Sequence, residues 1–321
     1  MTIMKTPYII AEIGFNHGGS LKLAERMIRA AAKSGANAVK FQSYKVGDIC
    51  LPSNKYYNIV KTGELTVEDH RKLKKLADTL KIDFLSTPFS VQWVDILDRL
   101  GVKGFKVASM DMTNHLLLKA IAGKKKTVYL ATGVGSLDEV KNSVKVMKKH
   151  GARDIVVLHC ISNYPTKPED IHLGFMSDIA KATNLPVGFS DHSLGVAAPL
   201  AAIALGATVI EKHFTLDKSL PGPDHQASLE PNELKDMVGS IRAVEQAMGN
   251  STKVIRSEEL DTKNIARKSL VATQTIKRGE LFAENNIDTL RPGTGISAMY
   301  YWQYIGQKAT KEYKMGELID G

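Results

Sequence analysis

The sequence predicts an α/β protein of the TIM (β/α)8 barrel class followed by a small β-rich domain, and three observations carry that prediction. Eight short, apolar, β-branched runs recur over the first 250 residues; segments of 3.6-residue period separate them; and polar residues collect where the runs end. In chain order the runs are YIIAEIG from Tyr8, AVKFQSY from Ala38, DFLSTPF from Asp83, GFKVASM from Gly104, TVYLATG from Thr127, DIVVLHC from Asp154, PVGFSDH from Pro186 and VIEKHF from Val209. LKLAERMIRAAAKSG, from Leu21 to Gly35, typifies the segments between: apolar residues at helical spacing, closed by a glycine. PNELKDMVGSIRAVEQAMG, from Pro231 to Gly249, supplies the last helix. A doubly wound open sheet is the competing architecture, but it needs a topological switch point, and no Gly-rich dinucleotide turn follows any run.

After Gly249 the pattern breaks. Residues 250–265 are polar and read as a linker between a barrel over 1–249 and a β unit over 266–321. That unit echoes itself: IKRGEL, from Ile276, and YKMGEL, from Tyr313, each place Lys-x-Gly before Glu-Leu, which predicts two similar turns. So small a unit buries little surface and is expected to dock on another. Within it, LRPGTGISAMYYW sets Arg291 on a Pro/Gly loop beside aromatic residues.

Composition excludes several classes. At 321 residues and 43% hydrophobic, the chain has material for one large domain and an appendage. Its formal charge of +9 is dispersed over helix faces such as EDHRKLKKLADTLK, from Glu68 to Lys81, without an Arg-rich arm, so no nucleic-acid partner is expected. A positive mean field does favour small anions, phosphorylated substrates among them. The longest apolar stretch, Gly195 to Ile210, contains Pro199 and falls short of the ~20 residues of a membrane span. No secretory signal is apparent, and two cysteines are too few for a disulfide framework. A cytoplasmic protein with no membrane partner is expected.

On a barrel, chemistry sits at the C-terminal rim. The polar residues near those ends are Glu12, Lys40 and Gln42, Ser86 and Thr87, Lys106, Ser109 and Asp111, Thr132 and His159. His192 and His213 end the seventh and eighth runs, and the residue two before each, Ser190 and Glu211, is also polar, so the period of two puts all four on one face. Imidazoles on neighbouring strands can share a divalent metal. Spacing alone leaves the alternative open that one histidine caps a helix and the other packs in a core. Asp191 points to the opposite face and reads as a helix N-cap. Glu211 has a structural reading as a core partner of Lys212, and His159 reads as a packed strand histidine. The loop from Lys45 to Thr66, with Tyr56 and Tyr57, is a candidate lid.

Taken together and in this order, IIAEIGFNHGGSL, AVKFQ, FLSTPF, FKVAS, ATG, LHC, NYPT, GFSDHSLG, ALGATVIEKHFTLDKSLPGPDHQASLEP and RPGTGIS resemble the sialic acid synthase family of phosphoenolpyruvate-dependent condensing enzymes. The final segment resembles the antifreeze-like (SAF) domain attached to those barrels. The resemblance implies a carbon–carbon bond-forming transferase that adds phosphoenolpyruvate to the aldehyde of an N-acyl-mannosamine-type sugar, N-acetylmannosamine foremost. Phosphate and a nine-carbon 2-keto acid are the products. It implies a divalent metal on His192 and His213, Mn2+ first and Mg2+ or Co2+ as alternatives. It implies Lys40 and Lys106 as ligands of phosphoenolpyruvate, with Thr87, Ser109 and Ser190 as hydroxyl donors. Glu12 and Asp111 are the implied catalytic carboxylates, and Gln42, Asn163, Tyr164 and Asp224 the sugar contacts. Arg291 would reach a partner subunit's site in a domain-swapped homodimer.

The sequence departs from the family in places. Asp111 stands where bacterial members commonly have glutamate, after Met110 where glycine is usual; Ala131 replaces a serine, and Asn163 sits one place along. Some relatives make legionaminic or pseudaminic acid from 2,4-diacetamido-trideoxy sugars, and PGPDHQAS, from Pro221, looks like the sialic and legionaminic branches. A synthase acting on a phosphorylated sugar would need extra basic residues at the far end of the pocket. A non-catalytic carbohydrate-binding barrel would not need Glu12, Lys40, Lys106, His192 and His213 all intact.

Overall fold

The computed structural model describes residues 6–249 and 252–320, which form two compact units divided after Gly249. In the first, eight parallel strands close into a barrel in sequence order. The elements are β1 (Tyr8–Glu12), α1 (Leu21–Lys33), β2 (Ala38–Ser43), the short α2 (Val46–Ile49) and α3 (Tyr57–Thr62), α4 (Val67–Thr79), β3 (Asp83–Pro88) and α5 (Val91–Arg99). Then come β4 (Gly104–Val107), α6 (His115–Gly123), β5 (Thr127–Ala131), α7 (Leu137–Lys149), β6 (Ile155–Cys160) and α8 (Phe175–Thr183). β7 (Val187–Asp191), α9 (Ala197–Ala204), β8 (Val209–His213) and α10 (Pro231–Met248) complete the unit.

Local sequence explains the elements. α1 starts at Ser20, whose hydroxyl accepts the Leu23 N–H, and buries Ala24, Met27, Ile28 and Ala31, one face of a 3.6-residue period. α4 and α7 open with reciprocal capping boxes, Thr66 with Asp69 and Ser136 with Glu139. The strands alternate. Outward residues such as Val39, Phe41, Phe84 and Phe105 pack with the helices in one large core. Inward residues Ile10, Ala38, Leu85, Tyr129, Val156, Leu158 and Val209 form a separate plug inside the barrel. The same inward rows continue beyond the plug as Glu12, Lys40, Lys106, Ser190 and Glu211. Among the described residues no helix is long and apolar enough to cross a membrane.

In the second unit, the polar segment expected to be a linker is only partly one: Ser257–Ala266 forms helix α11, with a Glu-rich first turn suited to a helix N-terminus. β9 (Ser269–Ala272) pairs antiparallel with β10 (Ile287–Leu290) over a core of Leu270, Ile276, Phe282, Ala309, Tyr313 and Ile319. α12 (Tyr301–Tyr304) is a single turn. The sequence echo is a structural one. Gly279 and Gly316 both adopt φ +84, and the Glu280 and Glu317 carboxylates accept the Lys277 and Lys314 N–H groups at 2.8 and 2.9 Å. Ile276 and Tyr313 pair across the two copies.

Candidate active site

Above the apolar plug, the inward rows enclose a cavity of about 300 Å³. Its floor is a buried charge cluster. Lys40 Nζ lies 3.0 Å from Glu12 Oε2 and 3.6 Å from Glu211 Oε2, and donates to Thr87 Oγ1 at 3.2 Å. Lys106 Nζ donates to Glu211 Oε1 at 3.0 Å, and the Ser190 hydroxyl donates to the same oxygen at 2.9 Å. The four charged residues are each at most 4% exposed, so they answer to one another rather than to water.

That arrangement splits the two carboxyl groups. Burial pushes Glu12 up to about 7, opposed by Lys40 and assisted by the Glu211 charge. Burial acts on Glu211 in the same sense, but Lys106, Lys40 and the Ser190 hydroxyl overrule it and hold Glu211 below the usual carboxylate range. Glu211 is thus a fixed anion, and Glu12 can carry a proton near neutral pH.

At the rim, the His192 and His213 rings lie 5.3 Å apart between centroids. His192 Nδ1–H donates to the Ile161 carbonyl at 2.7 Å, which leaves Nε2 with its lone pair. Burial works to lower His192, but contacts to the Cys160 thiol and the Ile161 carbonyl outweigh it. Burial, with His192 and Lys40 nearby, holds His213 well below its ordinary value, so it is neutral. His213 Nδ1 is buried, has no hydrogen-bond partner and is 3.8 Å from Asp224 Oδ2. Two imidazoles with uncommitted nitrogens on a cavity wall fit a divalent ion. No group of three or more His, Cys, Asp or Glu side chains suited to a metal occurs among the described residues.

Of the residues singled out in the sequence, Glu12, Lys40, Gln42, Thr87, Lys106, Ser109, Tyr164, Ser190, His192, His213 and Asp224 all line this cavity. Tyr164 lies over His192, ring centroids 3.9 Å apart, and meets His213 edge-on. Asp111 and Asn163 are not on the wall. Asp111 is half-buried on the turn after β4, where the Asn114 side chain donates to it at 3.0 Å. Asn163 is exposed, and its neighbour Ser162 lines the cavity instead. Arg291 belongs to the second unit, exposed on the loop after β10.

Several expectations need correction. Ser86 sits on an outward row, bonded to Ser43 at 2.6 Å, whereas His159 is a packed strand histidine as expected, its Nε2–H donating to the Ile171 carbonyl at 2.6 Å between Phe175 and Phe189. Thr132 is turned back onto the Leu158 carbonyl at 3.1 Å. Glu211 does not partner Lys212, because neighbours along a strand face opposite ways; Lys212 pairs with Asp191. Asp191 caps no helix, since α9 starts after Val196. The cavity also holds residues that sequence reasoning passed over, Phe15, Phe89, Ala108, Cys160 and Pro223. The sequence signal of the first four was position just at or past a strand end, while Pro223 lies on the long segment after β8.

Buried lysines, a carboxyl group raised toward neutrality and paired imidazoles at the C-terminal rim of a closed barrel form a polar site of the kind barrel enzymes carry. The NeuB family model matches residues 27–253 and the SAF domain model residues 267–321. The chain is 45% identical to the N,N'-diacetyllegionaminic acid synthase of Campylobacter jejuni, over 98% of this chain and 99% of that one. It is 37% identical to the human N-acetylneuraminate-9-phosphate synthase, over 98% and 92%. The crystal structure of the N-acetylneuraminic acid synthetase of Leptospira borgpetersenii is similar at TM-score 0.77 and 36% identity, covering 80% of this chain and 90% of that one. The chain belongs to the NeuB family of nonulosonic acid synthases, with a C-terminal SAF domain.

Proposed function

We propose that this enzyme condenses phosphoenolpyruvate with the open-chain form of a 2,4-diacetamido-trideoxy sugar, giving a nine-carbon 2-keto acid of the legionaminic type and phosphate, in a reaction that requires a divalent metal. The observation that carries the reaction is the buried set of Lys40, Lys106, Glu12 and Glu211 beside His192 and His213. The acceptor reading is supported by similarity to the Campylobacter legionaminic acid synthase. It is also supported by the apolar wall of Phe15, Phe89, Ala108 and Met110, which suits the methyl groups of a diacetamido deoxy sugar better than a hydroxylated tail. N-Acetylmannosamine, favoured by the sequence motifs, is the comparison substrate.

Lys40 and Lys106 neutralise the carboxylate and phosphate of phosphoenolpyruvate, with Thr87, Ser109 and Ser190 as hydroxyl donors. Lys106 gives one of its three N–H groups to Glu211 and has others for the ligand. His192 and His213 would hold a Mn2+-type ion, which would supply Lewis-acid polarisation of a carbonyl group. The new bond joins the methylene carbon of phosphoenolpyruvate to the aldehyde carbon, and the aldehyde oxygen takes the proton from the Glu12 carboxyl. Water then adds to the electron-poor C2 and returns a proton to Glu12. Cleavage of the C2–O bond to phosphate, with the proton of the new C2 hydroxyl leaving on the phosphate, gives the ketone. Gln42, Tyr164 and Asp224 face the sugar, with Asp224 accepting from its hydroxyl groups. A homodimer is part of the same reading: Arg291 stands near the exposed Met299 and Trp302 in sequence and would serve a partner's barrel.

Phosphate release by the full chain with Mn2+ and a panel of acceptors tests this. The greatest kcat/KM is expected with the diacetamido-trideoxy sugar. A preference for N-acetylmannosamine would overturn the acceptor, and the absence of phosphate release with every acceptor would overturn the reaction in favour of a carbohydrate-binding barrel.

A further inference from the structure

Each rim histidine is preceded by a charged residue that the reaction does not use. Asp191 precedes His192 and Lys212 precedes His213, and the strand period sends both side chains away from the cavity. They are register partners in β7 and β8, 1% and 0% exposed, with Lys212 Nζ 2.5 Å from Asp191 Oδ2. The same ammonium donates to the Ser193 carbonyl, and Asp191 Oδ1 accepts the Ser193 N–H at 2.8 Å. One buried cation therefore grips the residue before His192 by its side chain and the residue after it by its backbone, while its own backbone continues directly into His213.

Stability alone is a poor reason for such a pair, since apolar residues of similar volume often serve a fold as well or better. A fixed geometry is what it provides. Other restraints on the two histidines include the Ile161 carbonyl, which accepts the His192 ring N–H, the backbone carbonyls of His192 and His213, which accept Thr166 N–H at 3.0 Å and Leu229 N–H at 2.8 Å, and the Tyr164 ring, which packs on both imidazoles. The Lys212–Asp191 bridge links the two strand ends directly through side chains. We propose that Lys212, acting through Asp191 and Ser193, is a positioning residue that sets the separation and orientation of the His192 and His213 imidazoles and hence their affinity for a divalent metal. It touches neither metal nor substrate. The proposal rests on the metal reading of the two histidines.

The test is a Mn2+ titration of the metal-stripped full chain by calorimetry, alongside activation of phosphate release, for the wild type, Lys212→Met and the charge-free double variant Asp191→Asn/Lys212→Met. Loss of a partner that orients a ligand typically weakens metal binding about 10- to 100-fold. A rise of that size in the Mn2+ Kd is expected in a folded variant, with turnover recovered by excess Mn2+ and the KM for phosphoenolpyruvate unchanged. A purely structural lesion would not be repaired by metal. Wild-type Mn2+ affinity in either folded variant overturns the proposal. Failure of both variants to fold assigns the pair to the fold and overturns it equally. Absence of Mn2+ uptake by the wild type brings down the metal reading and this proposal with it, a result distinct from equal uptake by wild type and variant.

Discussion

Glu12 and Glu211 are chemically identical groups that share one lysine, and their surroundings give them opposite tasks. Lys106 and Ser190 bind Glu211 but not Glu12, and that difference keeps Glu211 ionised while burial drives Glu12 up to about 7. If the protonated Glu12 carboxyl delivers the proton to the sugar oxygen, activity falls as pH rises through this value. An anionic ligand in the cavity disfavours the charged carboxylate further, so the alkaline limb of kcat should lie at or above that of kcat/KM. Glu12→Gln is expected to remove the limb and lower kcat by about 10²- to 10⁴-fold. A pH–rate profile unchanged in shape in that variant assigns the proton to another group.

At the scale of the element, periodicity was highly informative and burial less so. The alternation within β7 and β8 puts Ser190 and His192, and Glu211 and His213, on one face from sequence alone, and both pairs line the cavity. The same rule, applied strictly, would have turned Ser86 and His159 outward, since Thr87 and Cys160 occupy the inward row. Polarity without direction groups Ser86 with the rim, whereas His159 is legible as a packed strand histidine. Asp111 and Asn163 lie on turns after strands, where no period fixes a side chain, and local partners decide instead. Helix α11 was hidden by its polarity: none of its residues is buried, so it lacks the apolar stripe by which sequence reveals a helix. The repeated Lys-x-Gly-Glu turns were legible because glycine at positive φ and a carboxylate accepting a backbone N–H are local chemistry. Phe15 and Phe89 were not, because an aromatic residue after a strand looks alike whether it fills a core or faces a substrate.

The whole molecule joins a complete barrel to a small domain carrying Arg291, and the homodimer reading makes the second necessary to the first. An Arg291→Ala chain and a Glu12→Ala chain should each be nearly inactive alone. Mixed and allowed to exchange subunits, they should regain part of the wild-type rate, because one site of a mixed dimer then holds both residues. No recovery when mixed dimers demonstrably form means that Arg291 serves its own chain or no site. What the paired histidines at the barrel rim imply above all is a metal requirement for the condensation. It is tested most directly by phosphate release from phosphoenolpyruvate with a diacetamido-trideoxy acceptor, before and after chelation, in the wild type and in His192→Ala. Acceptor-dependent release that chelation abolishes and Mn2+ restores in the wild type alone is expected. Undiminished release by chelated enzyme, or by His192→Ala without added metal, would contradict it.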